Sequence, residues 1–88
     1  VSDDTARRLA EALEKFGRRV IAGQVLFTEA GLAYEVAALL PVMREIADLR
    51  AAEELEAAYW ATAAIPGPEA VREVVCARAA ALRGEAGR

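Results

Sequence analysis

The 88-residue chain has no histidine, one cysteine and one lysine. Without histidine there is no Ser-His-Asp or Cys-His constellation and no Glu-x-x-His metal motif, and the commonest general base is missing. Cys76, being alone, can neither close an intramolecular disulfide nor build a cysteine metal site, which fits a reducing compartment. Neither GxGxxG nor GxxxxGK[ST] occurs, so no phosphate-cradling loop is expected. No apolar run reaches the length of a membrane span, because Glu35 and Arg44 interrupt the most apolar part. Asp3 and Asp4 stand where a secretory signal would be basic. A cytoplasmic protein is the expectation.

What is abundant is alanine, at 22 residues, the strongest helix former and a small contributor of buried area. A monomer with this inventory has a thin core, so self-association or docking on a partner is expected. The formal net charge is −3, which gives no overall attraction to nucleic acid or anionic membrane. The charge is uneven: residues 1–19 carry +1, residues 28–65 carry −5 and residues 66–88 carry +1.

Apolar spacing predicts helices throughout. Ser2 suits an N-cap, and Ala6, Leu9, Leu13, Phe16 and Val20 form one stripe. Pairs at i,i+4 support that helix: Asp3–Arg7, Asp4–Arg8, Glu11–Lys15 and Glu14–Arg18. Gly17 inside it marks a close helix–helix approach, and Gly23 ends it. Residues 20–27 also suit a short strand pair, but a lone hairpin is barely stable, and a helix to about Ala22 is preferred. Thr28 caps the next helix, which Pro41 kinks or breaks, and Asp48 caps another running to Ile65. Pro66-Gly67-Pro68 is the clearest punctuation, with Pro68 at the first position of the last helix and Gly84 just past its end.

The expected fold is therefore one all-α domain over residues 1–88, a small antiparallel bundle of about four helices completed by oligomerisation. The helices fall near 3–22, 28–47 with the Pro41 kink, 49–65 and 68–83, with 84–88 a frayed tail. Two alternatives concern the middle. As a single helix, residues 28–65 would be about 57 Å long at 1.5 Å per residue. Division at Pro41 instead gives five or six short helices, an architecture similar to that of death-like adaptor domains, though no motif of that family is present.

Few residues carry chemistry. Glu45 with Asp48, and Glu53 with Glu56, share helix faces at i,i+3 and can in principle ligate Mg²⁺ or Ca²⁺, but such pairs are ordinary on exposed helices. Tyr59 and Trp60 point about 100° apart on a helix, so one of them is available to rim an interface. Arg78 falls among Val71, Val74, Val75 and Leu82, where it either reaches out to solvent or meets a carboxylate of the acidic middle. Cys76 is read as a structural thiol at the helix's polar border. The partner-binding candidates are thus Tyr59, Trp60, Glu53, Glu56 and Arg78, with no catalytic, cofactor or metal residue expected. The function they suggest is a non-enzymatic interaction or oligomerisation module, an adaptor or small subunit that meets another protein chain as a homodimer or in a heteromeric complex. The alternative is a repressor- or antitoxin-type regulator that contacts nucleic acid through Arg7, Arg8, Lys15, Arg18 and Arg19 of the first helix.

Overall fold

A computed structural model describes residues 3–86. All regular structure among them is helical: α1 (Asp3–Ile21), α2 (Glu29–Ala37), α3 (Leu40–Glu45), α4 (Leu49–Ala61), a 3₁₀ turn (Thr62–Ala64) and α5 (Pro68–Ala86). The radius of gyration is 12.3 Å, close to the ~12 Å of a compact chain this long. The longest dimension, 34 Å, has no room for a 57 Å helix, and the middle folds back on itself.

Each boundary has a local cause. Gly23, at φ 73°, closes α1, with its amide donating to the Val20 carbonyl at 3.1 Å and the Gln24 amide donating to the Arg19 carbonyl at 2.9 Å. This is the paired-bond ending that a left-handed glycine permits. The Thr28 hydroxyl accepts from the Gly31 amide at 3.0 Å and starts α2. Pro41 cannot donate to the carbonyl of Ala37, and α2 stops at Ala37. The expected kinked helix over 28–47 is thus two helices, the second with Pro41 in its first turn. The chain then turns at 46–48. Asp48 caps α4 by accepting from the amides of Arg50 at 3.0 Å and Ala51 at 3.2 Å. Ile65 is extended, as the residue before a proline should be, and Pro68 opens α5. Gly84 does not end α5, which continues to Ala86. The Ser2 cap and the last residues of the expected frayed tail lie outside the described residues.

The core sits on α1, which buries Thr5, Ala6, Leu9, Ala10, Leu13, Phe16, Gly17 and Val20. Its most extensive packing is against α5, whose buried stripe is Val71, Val75, Ala79 and Leu82. Val74 is turned about 100° from Val75 on the helix and is exposed, so it is not part of the expected apolar face. Gly17 lets the two helices close up, since a methyl there would lie 3.1 Å from Val75 Cγ2 and 3.5 Å from Cys76 Sγ. Leu32, Leu39, Ile46, Leu55 and Tyr59 complete the core from α2 to α4 and the links between them.

A second close approach fixes the corner between α1 and α2. A methyl on Gly31 would fall 2.1 Å from the Leu26 carbonyl oxygen and 2.9 Å from its carbon, and backbone cannot yield as a flexible side chain can. Gly31→Ala is expected to destabilise the chain by about 2–3 kcal/mol, the upper range for overpacking. Gly84→Ala has open space around it inside α5 and should stabilise by up to about 1 kcal/mol. Urea unfolding of the two variants tests both signs.

Candidate functional site

The predicted site residues do not stay together. Tyr59 faces inward and is buried, its ring stacked on Phe16 with centroids 4.2 Å apart and planes 27° from parallel. Its hydroxyl donates to the Ala12 carbonyl at 3.2 Å. Glu53, Glu56 and Trp60 share the outer face of α4, with Glu53 and Trp60 exposed and Glu56 half-buried. Arg78, exposed on α5, lies 3.9 Å from Glu54, an acidic-middle residue that was not among the candidates. Cys76 is exposed.

The charges of α1 are used across the fold more than along the helix. Arg8 donates to Asp4 at 3.0 Å, as i,i+4 spacing predicts, but also to Glu45 of α3. Glu14 accepts from Arg83 Nε of α5 at 3.0 Å, where Arg18 was the expected partner. Arg19 donates to Glu35 of α2. The basic face proposed for nucleic acid thus has Arg8 and Arg19 engaged within the molecule, leaving Arg7, Lys15 and Arg18. Of the carboxylates considered for a metal, Glu45 holds Arg8, and Asp48 caps α4. Among the described residues no group of three or more acidic or cysteine side chains gathers as a metal site, and no helix is long and apolar enough to cross a membrane.

The feature that sequence reasoning passed over is Glu35. It is 4% exposed, and Arg19, 32% exposed by its side chain, covers it from α1. Arg19 also donates to the Gln24 carbonyl at 3.5 Å, which links the pair to the chain just beyond α1. Beside the pair is a cavity of about 120 Å³ among α1 to α4, walled by Phe16, Leu39, Val42 and Tyr59, with Lys15 at its edge. The Tyr59 phenol is pushed well above its ordinary pKa, first by burial and then by the negative charge of Glu35, with Arg19 opposing. The signal for this site was present in the sequence. Glu35 stands three residues after Leu32 and four before Leu39, on the apolar stripe itself.

Glu35 also forms part of a second, open groove of about 340 Å³. Leu26 and Tyr34 flank that groove over Ala30 and Gly31, and they are 71% and 70% exposed. Ile21 and Phe27, exposed as well, belong to the same stretch of chain. One acidic side chain therefore borders both the pocket beside Tyr59 and the groove beside Leu26. No protein-family model, curated protein or solved structure matches the chain.

Two outcomes follow from the buried pair. Glu35→Gln should destabilise the fold by up to about 3 kcal/mol, the upper end for a hydrogen bond to a charged group, and a double-mutant cycle with Arg19→Met should show positive coupling. Because the folded state holds the Tyr59 proton more tightly than the unfolded state, the associated stability is complete below about pH 10, the ordinary tyrosine pKa, and declines as pH rises above it. Denaturation measured from pH 8 to 11 should show that decline, flattened in Tyr59→Phe.

Proposed function

We propose that this chain is a non-enzymatic helical interaction module, a small antiparallel bundle whose partner is another protein chain, a second copy of itself in the first instance. The observation that carries this reading is the corner formed by residues 21–34, where Leu26 and Tyr34 stand exposed on either side of an open groove. Single exposed apolar side chains are normal on a protein surface, but large ones gathered about one groove mark a contact surface. A projecting leucine beside a groove provides a knob and a hole on the same corner, which is what a two-fold contact between identical chains requires.

The composition of the core supports the same reading. Only thirteen apolar residues larger than alanine are buried among the described residues, while eight large ones are exposed. Covering part of that exposed set contributes roughly 25 cal/mol per Å² of apolar surface. The outer face of α4, with Glu53, Glu56 and Trp60, supports a second contact, with a basic partner in a heteromeric complex. The repressor- or antitoxin-type alternative has less support, since two of its five cations are already held in ion pairs.

Sedimentation velocity from micromolar to millimolar protein is expected to show a concentration-dependent dimer. Leu26→Asp should weaken it at least tenfold, about 1.4 kcal/mol, above the ~1 kcal/mol that only a minority of interface residues exceed. The melting of the dilute protein should be unchanged, because the Leu26 side chain is exposed. A monomer at every concentration refutes the self-association.

A further inference from the structure

The cavity beside Glu35 and Arg19 has a chemistry that selects its occupant. Its lining combines Phe16, Leu39, Val42 and the Tyr59 ring with the charged Lys15, Arg19 and Glu35, and its volume is about 120 Å³. At its polar end Glu35 and Arg19 neutralise one another. Lys15 lines the same space, is exposed, and has no ion-pair partner among the described residues. Glu11, one turn earlier on α1, is not part of the lining. The edge of the cavity therefore carries one uncompensated positive charge above an apolar interior.

We propose that this cavity binds a short-chain monocarboxylate, with its hydrocarbon tail between Phe16, Leu39, Val42 and Tyr59 and its carboxylate at Lys15. A cationic amine of the same size meets the like charge of Lys15, and its natural partner, Glu35, is already occupied by Arg19. A neutral alcohol fills the interior but leaves Lys15 unpaired. Butyrate, a small monocarboxylate with a hydrocarbon tail, serves as the probe. Glu35 is common to this site and to the groove of the proposed dimer surface, but Lys15, Phe16, Leu39, Val42 and Tyr59 line this site alone.

The test is a titration of the full chain, followed by amide chemical shifts, with sodium butyrate, n-butanol and n-butylamine hydrochloride at matched ionic strength. Butyrate is expected to shift the amides of Phe16, Arg19, Leu39 and Tyr59 saturably, more tightly than butanol and much more tightly than butylamine. Lys15→Ala, an exposed position, should weaken butyrate up to about fivefold, the upper range for a solvent-exposed ion pair, and leave butanol unchanged. Ala38→Leu, at an exposed residue of the lining, should block both ligands by filling the space. Shifts that do not saturate, butylamine binding as well as butyrate, or butyrate binding unaffected by Lys15→Ala would each overturn the proposal.

Discussion

Where Gly17 of α1 meets Val75 of α5, the two longest helices approach with no side chain on the glycine between them. The rest of the molecule is arranged around that contact. The stripe from Ala6 to Val20 is wider than α5 alone covers, and its remaining flank receives Leu55 and Tyr59 from α4 and Leu32 and Leu39 from the α2 region. Ion pairs bind the same hub at its borders, with Glu14 to α5, Arg8 to α3 and Arg19 to α2. Most of these pairs are exposed and contribute little individually. The exception is Arg19–Glu35, where the carboxylate is buried and the arginine is its compensation.

That exception connects the interior to the surface. Glu35 stands between the pocket beside Tyr59 and the groove flanked by Leu26 and Tyr34. Arg19 holds it from α1 and touches the Gln24 carbonyl, so the corner of the chain and the buried pair are joined by one guanidinium. Gly31 seats the corner by letting α2 lie directly on the Leu26 backbone. These three residues decide the shape of the region where the chain presents Leu26, Phe27 and Tyr34.

Much of the local structure was legible in the sequence because its signals are local. Thr28, Asp48, Gly23 and Pro66-Gly67-Pro68 act on the backbone within a few residues, and the helix ends fall beside them. The division of the middle segment followed from Pro41, where the missing amide stopped α2 at Ala37 and did not merely bend it. What was not legible depended on partners far along the chain. Spacing paired Glu14 with Arg18, while the fold gave it Arg83, which no periodicity of α1 can reveal. Gly84 resembled a helix stop because glycine favours such ends, yet nothing near it requires the left-handed conformation, and α5 runs on. Glu35 was visible as an interruption of an apolar stretch. It became a site only once Arg19 was found opposite it.

The pairing of the first helix with the last also sets an order of events during synthesis. α1 is complete at Ile21, while its main cover begins only at Pro68. At ~5–20 residues per second, that cover follows several seconds later. Throughout that interval the stripe of Leu9, Leu13 and Phe16 has only the middle helices to shelter it. The nascent chain is thus most exposed to aggregation or to capture by a chaperone in the interval before α5 is made. α5 acts less as an addition than as the step that makes the earlier helices stable.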